Sequence, residues 1–359
     1  MKYVICVTLK CNLACQYCYI IKKNSTMPLQ KAVEVVDFIF RNNPPEEKLC
    51  INFSGGEPLL EFDLVKKITE IIEQHPYYDP LKVEISITTN GTIFSIETEK
   101  FLLDHNVQLC ISCDGPPHVH DMFRSFSNQE GSSSIVERTL TRANKVFANI
   151  SVRAVYHPKT VQYLPLAVEY FSSMGIRKIH LSSDLSAPWT RKDADLLSQV
   201  YPKIADWYIE FALKRKPLYI SIIDVKMAAF AKGGYRSGEK CRLGETGLAF
   251  APSGNIYPCE RLIGNDSGQD HCIGNIDGGI QVERISHRKK PQFSTDTDCI
   301  FCELKDYCMN WCSCSNFFSS GYYNRVGPFL CASEKTAIKT AFNVRRTLAE
   351  IANPIPKNL

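Results

Sequence analysis

Cys11-Asn-Leu-Ala-Cys15-Gln-Tyr-Cys18-Tyr19 directly follows the apolar run Tyr3–Leu9, and this stretch decides how the rest of the chain is read. A C-x3-C-x2-C loop can set three thiolates on three corners of a cubane [4Fe–4S] cluster while supplying no fourth ligand, so one iron stays open to a small molecule. An open iron implies chemistry rather than electron storage. Tetrahedral zinc is the competing occupant, because C-x2-C pairs suit either metal.

Outward from that loop, short apolar runs alternate with longer amphipathic ones. Tyr3–Leu9, Leu49–Phe53, Lys82–Thr88, Val107–Ser112, Ile150–Tyr156 and Lys178–Leu181 have the strand pattern. Leu29–Arg41, Phe62–Glu73, Glu97–His105, Ser134–Ala148 and Val161–Met174 have the helical pattern between them. The expected fold class is therefore α/β, with parallel strands and right-handed crossovers. Periodicity alone leaves a barrel and an open sheet both standing.

Four motifs fall directly after the first four strand runs: Cys11–Cys18, Ser54-Gly-Gly-Glu-Pro58, Thr89-Asn-Gly91 and Ser112-Cys-Asp-Gly115. Loops that follow parallel strands open onto one face, where α/β enzymes assemble their sites. A long helical pattern then runs from Arg191 to Lys214, followed by a bridge, Pro217–Lys240, with the turn-prone Lys232-Gly-Gly-Tyr235. From Cys241 to Cys331 cysteines, glycines and turns dominate, the composition of a metal-stapled module. Ser333–Ala352 reads as a closing helix.

With 359 residues, 44% of them hydrophobic, the chain can bury a substantial core. A formal charge of +4 is small for this length, and the basic clusters Lys214–Lys216 and His287–Lys290 read as solvated surface, so no nucleic-acid partner is expected. No apolar run approaches the ~20 residues of a membrane span, and the first cysteine loop begins too soon after Met1 for a signal peptide to precede it. A cytoplasmic location without membrane contact follows as the expectation. Sixteen cysteines in a long chain without an export signal, spaced like metal ligands, argue against a disulfide framework.

The cysteine loop resembles that of the radical S-adenosylmethionine (SAM) superfamily, in which SAM chelates the unique iron and is cleaved reductively to a 5′-deoxyadenosyl radical. The resemblance implies a partial (β/α)6 barrel and assigns roles by motif position. Gly55, Gly56 and Glu57 match the family's Gly-Gly-Glu-Pro signature, with Glu57 an acceptor for the SAM amino group. Asn90 matches the ribose-side segment, its other reading being a strand-ending turn. Ser112, Asp114 and Asp121-Met-Phe-Arg124 resemble a stretch of a subgroup that modifies peptides and proteins, with Ser112 toward SAM and Asp114 toward substrate. Arg153 matches a guanidinium that holds the SAM carboxylate, against the plainer reading of a strand arginine paired with an acid. Tyr19 is expected by the adenine or as packing beside the cluster.

The later cysteines fit the seven-cysteine pattern of SPASM domains, which carry two auxiliary [4Fe–4S] clusters. By motif position Cys299, Cys302, Cys308 and Cys331 hold the outer cluster, and Cys241, Cys259 and Cys312 the inner one. Sulfatase-maturating members of the family have a further cysteine where this chain has Tyr235. Cys272 or Cys314 closes the inner set, or it stays open. Glu260 stands where those enzymes have an aspartate that takes a substrate proton; it is a candidate general base, with a plain pairing to Arg261 as the alternative. Cys6, Cys50, Cys110 and Cys113 read as small apolar strand residues. His118 and His120 sit in a proline-bearing loop, where substrate contact is the functional reading.

These assignments divide the chain into a radical SAM partial barrel (1–215), a bridge (216–240), a SPASM module (241–335) and a C-terminal helix and tail (336–359). The implied function is a radical SAM oxidoreductase and peptide maturase: thioether or carbon-linked crosslinking of a ribosomal peptide first, and formylglycine formation on a sulfatase second. Implied cofactors are SAM and three [4Fe–4S] clusters. Implied partners are a peptide or protein substrate and a flavodoxin- or ferredoxin-like donor. Ten residues before Cys11 and twenty-eight after Cys331 are too few for a fused leader-binding domain, so leader recognition would fall to a separate protein or to the barrel surface. The rival from another class is a non-catalytic, zinc-bearing cysteine-rich module.

Overall fold

The computed structural model describes residues 1–44, 46–236, 239, 241, 243–289, 297–309 and 312–352. Lys240 of the expected bridge, Lys290 of the basic cluster and tail residues 353–359 lie outside them. The strands are β1 (Lys2–Thr8), β2 (Leu49–Gly55), β3 (Val83–Thr89), β4 (Gln108–Ser112), β5 (Ser151–Tyr156), β6 (Lys178–Ser183), β7 (Tyr219–Ile220), β8 (Gly247–Phe250), β9 (Asn255–Tyr257), β10 (Gly274–Asn275) and β11 (Gly279–Ile280). The helices are α1 (Leu29–Asn42), α2 (Phe62–Glu73), α3 (Ile96–Asp104), α4 (Pro117–His120), α5 (Ser133–Val146), α6 (Leu164–Ser173), α7 (Arg191–Leu213), α8 (Ser221–Ala231), α9 (Val282–Lys289), α10 (Thr297–Ile300), α11 (Ser313–Ser320) and α12 (Pro328–Ala352).

The chain forms two compact units, the first comprising Met1–Cys113, His120–Ile150 and Cys241–Lys290. In it β1, β2, β3 and β4 pair in parallel, in that order. Every β1 residue from Tyr3 to Thr8 is buried, as a strand with both faces covered requires. α1 turns Ala32, Val35, Val36, Ile39 and Phe40 inward, the i, i+3, i+4, i+7 spacing of a helix with one apolar face. α3 is capped by Ser95, whose side chain accepts from the Thr98 N–H. On the other edge of β1, β8 adds a further parallel strand, and β9, β10 and β11 continue the sheet antiparallel. Phe250 of β8 packs on Tyr3 and Phe38 at ring distances of 6.2 and 5.6 Å. The cysteine-rich region thus supplies sheet as well as turns, which four-residue strands are too short to announce by periodicity.

The second unit comprises Asp114–Val119, Ser151–Lys240 and Pro291–Leu359. β5, β6 and β7 pair in parallel here. α7 opens with a capping box between Thr190 and Asp193. α12 packs on α7 and α8, with Trp189 stacked on Phe329 at 3.7 Å and Phe230 on Phe342 at 3.8 Å. The expected bridge therefore contains a packed helix, α8. The closing helix starts at Pro328 rather than Ser333, because Pro is well suited to a helix's first position, and so it carries Cys331. Among the described residues no helix is long and apolar enough to cross a membrane.

Candidate active site

The Cys11–Cys18 loop leaves β1 and is fastened from three directions. The loop after β2 meets it first: the Gly56 N–H donates to the Thr8 carbonyl at 2.9 Å and the Glu57 N–H to the Lys10 carbonyl at 2.8 Å. This approach requires both glycines. A Cβ on Gly55, whose φ is +136°, would stand 2.3 Å from the Thr8 oxygen, and one on Gly56 would stand 2.0 Å from the Lys10 oxygen. The two glycines thus let the loop after β2 meet the backbone that leads into the cysteine loop.

Glu57 is fully buried. Its Oε1 accepts from the Leu59 N–H (3.0 Å) and the Thr89 hydroxyl (2.7 Å), and its Oε2 accepts from the Asn90 N–H (2.6 Å). Burial pushes the carboxyl up to about 7, although the three hydrogen bonds oppose that shift. The loop after β3 supplies the second fastening. Asn90 Nδ2 donates to Asn12 Oδ1 at 2.9 Å and lies 3.8 Å from Cys11 Sγ, while Asn90 Oδ1 accepts from the Thr92 N–H and hydroxyl. Asn12 Nδ2 returns a bond to the Thr92 hydroxyl at 2.8 Å.

Residues 120–133 supply the third. The Ala14 N–H donates to the Ser125 carbonyl at 2.6 Å and the Gln16 N–H to the Phe123 carbonyl at 3.1 Å. His120, fully buried, bonds Ser132 through Nε2 at 2.9 Å, and the Ser132 hydroxyl donates to the Arg124 carbonyl. Asp121 accepts from the Ser133 N–H and hydroxyl. The His120-Asp121-x-x-Arg124 stretch thus shapes the turn that grips the cysteine loop, and the Arg124 guanidinium lies 5.2 Å from the Tyr17 ring centroid. Asn12, Thr89, His120 and Ser132 were not singled out for this bracing in the sequence, since contacts across dozens of residues have no local signature.

Cys11 and Cys15 are half-buried and Cys18 exposed. Burial pushes the Cys11 thiol up to about 11, so an acceptor of thiolates must supply the driving force for losing that proton. Three soft donors on one braced loop fit a cubane cluster. Tyr19 follows the loop at 37% exposure, and Ser112 ends β4 half-buried. Glu260 opens a short 3-10 turn immediately after Cys259, and its charge and that of Asp266 add to the burial that pushes the Cys6 thiol far up.

In the second unit Asp114 is buried and accepts from the Val155 N–H at 2.9 Å. Arg153 lies in β5 in register with His180, and its Nε is buried. His118 packs edge-on against Tyr163. Cys299, Cys302, Cys308 and Cys331 are half-buried thiols on short turns and on the first helical turn of α12, a donor set suited to iron–sulfur ligation. Cys312 lies 3.7 Å from Cys314. In the first unit Cys241 and Cys259 are half-buried, whereas Cys272 is buried with its thiol donating to the Gly274 carbonyl at 3.0 Å.

Residues 5–171 match the Radical SAM superfamily model. A radical SAM cyclopropyl synthase of Paramaledivibacter caminithermalis is 25% identical over 85% of this chain and 66% of its own length. A cysteine-type anaerobic sulfatase-maturating enzyme of Clostridium novyi is 22% identical over 84% of each chain. Among solved structures, native anSMEcpe with bound AdoMet and Cp18Cys peptide superposes with a TM-score of 0.80 at 21% identity, over 98% of this chain and 99% of that one. This last likeness is one of fold.

Proposed function

The chain is a radical SAM enzyme related to the protein- and peptide-modifying maturases, and from that premise we propose that it modifies a peptide or protein side chain by hydrogen abstraction. The radical SAM match and the enzymatic relatives stand against the non-catalytic zinc module. The observation that carries the proposal is the triple fastening of the Cys11–Cys18 loop by the segments that hold Glu57, Asn90 and Ser125.

Cys11, Cys15 and Cys18 would hold a [4Fe–4S] cluster, which with SAM on its open iron supplies a 5′-deoxyadenosyl radical on one-electron reduction. Glu57 keeps the loops after β2 and β3 in register through its bonds to the Leu59 and Asn90 N–H groups. Asn90 directs an N–H at Cys11 Sγ, a contact that favours the more electron-rich state of a cluster ligated there. Tyr19, Ser112 and Arg153 are assigned to SAM, and Asp114 and Glu260 to substrate or proton handling. The two auxiliary sets, Cys299/Cys302/Cys308/Cys331 and Cys241/Cys259/Cys312 with Cys272 or Cys314, are assigned to two further clusters. A flavodoxin- or ferredoxin-like protein would supply the electron.

Crosslinking, by thioether or carbon linkage, is the first product class. The cyclopropyl synthase relative, by its name, supports carbon–carbon bond formation in general rather than a crosslink. Tyr235 in place of a cysteine and Glu260 in place of an aspartate depart from the sulfatase-maturating pattern. Formylglycine formation is the second reading, supported by the sulfatase-maturating relative. Mass spectrometry of candidate peptides after anaerobic turnover separates them. Loss of two hydrogens with sulfur retained supports crosslinking, and conversion of one cysteine or serine to an aldehyde supports formylglycine formation.

A further inference from the structure

Lys226 is a lysine with only 2% of its side chain exposed. Taking an ammonium out of water costs several kcal/mol unless it is paired and hydrogen-bonded, so its position calls for a partner. Its Nζ donates to Glu334 Oε2 at 2.5 Å and to the Tyr307 carbonyl at 3.1 Å. The same Glu334 oxygen accepts from the Met309 N–H at 2.7 Å. Cys308 lies between those two residues, so the ion pair grips a group on either side of it. Glu334 is also one helical turn beyond Cys331 on α12.

The surroundings reinforce the grip. The Tyr235 N–H donates to the Asp306 carbonyl at 2.8 Å, and its ring lies 5.5 Å from Lys226 Nζ. Phe230, on the same helix as Lys226, packs against Tyr307 at 4.9 Å. Tyr235, which stands where the sulfatase-maturating pattern has a cysteine, is thus part of the packing around residues 306–309.

We propose that the Lys226–Glu334 pair is a clamp that presets Cys308 against Cys331 for an iron–sulfur cluster held by Cys299, Cys302, Cys308 and Cys331. The inference rests on the auxiliary-cluster assignment above. Lys226 and Glu334 are positioning residues, and their effect is on assembly of that site rather than on SAM cleavage.

Two measurements test it. In the metal-free wild-type chain, hydrogen exchange of the peptide containing Met309 is expected to show a protected amide; complete exchange within seconds means that no clamp preexists, and overturns the proposal. Anaerobic reconstitution then compares the wild-type chain with the Lys226→Met/Glu334→Leu double variant, which replaces the buried pair by apolar groups, and with Glu334→Gln, which keeps an oxygen for the Met309 N–H. The double variant is expected to keep a near-wild-type melting temperature and reductant-dependent 5′-deoxyadenosine, while iron enters the outer site about tenfold more slowly and final content falls from about twelve toward about eight irons per chain. Glu334→Gln is expected to fall between the two. Wild-type iron uptake in both variants overturns the clamp. Cys308→Ala serves as the control: unchanged iron there removes the outer cluster itself, and the clamp with it, whereas iron lost there but kept in the double variant refutes the clamp alone.

Discussion

The Asn90 backbone N–H donates to Glu57 Oε2 at 2.6 Å, which joins the loops after two adjacent parallel strands through one buried carboxylate. Since Glu57 follows the two glycines that touch the cysteine loop and Asn90 reaches Asn12 and Cys11 within it, this single contact couples three loops.

Replacing Glu57 by Gln keeps the shape and introduces an amide NH2 among three donors, so one hydrogen bond becomes a donor–donor clash. Near pH 4, where Glu57 is uncharged, a loss of about 1–3 kcal/mol is expected, read at that pH as a lower denaturant midpoint of the metal-free protein, with weaker cluster retention in the reconstituted one. Wild-type stability in Glu57→Gln contradicts the bracing role.

The raised Glu57 carboxyl also sets a pH dependence. An acid whose folded value of about 7 exceeds its ordinary 4.5 holds its proton longer in the folded state, so its contribution is fully present below pH 4.5 and is lost as pH rises toward 7. Between those limits the difference between wild type and Glu57→Gln is expected to change by about 3 kcal/mol in the metal-free chain. Denaturation curves across that window check it, and a difference that is flat with pH contradicts it.

Gly56→Ala is expected to cost about 1–3 kcal/mol and to strip the N-terminal cluster selectively, because its new methyl would sit 2.0 Å from the Lys10 carbonyl oxygen. Iron content and deoxyadenosine formation should fall together. Normal iron and turnover would show that the β2 loop yields without disturbing the cysteines.

His120→Ala removes a buried partner of Ser132, and thereby loosens the turn whose Phe123 and Ser125 carbonyls hold the cysteine loop. A loss of about 1–3 kcal/mol is expected, together with slower cluster loading. Were the variant to fold and load normally while its affinity for a substrate peptide fell, the substrate-contact reading of His120 would replace the bracing one.

Much of this was legible in the chain because its signals are local. The six strand runs and the helices between them come from period-2 and period-3.6 patterning, and the observed β1–β6 agree with them to within one or two residues. The short β8 strand beside β1 was not legible, because four residues carry no period. α8 was missed for a different reason: Lys226 interrupts its apolar stretch and resembles a surface residue until Glu334, 108 positions later, is brought to it. At the site, residue type and spacing singled out Cys11, Cys15 and Cys18, and the family resemblance pointed to Gly55, Gly56 and Glu57. The bracing by Asn12, His120 and Ser132 depends on long-range hydrogen bonds that no spacing encodes.

The most direct test of the central claim is formation of 5′-deoxyadenosine from SAM by the anaerobically reconstituted chain, with and without a one-electron reductant. The account predicts a brown protein that cleaves SAM only when reduced, with cleavage abolished in Cys15→Ala. A colourless protein with zinc on Cys11, Cys15 and Cys18, or a brown one that never yields 5′-deoxyadenosine, would contradict it.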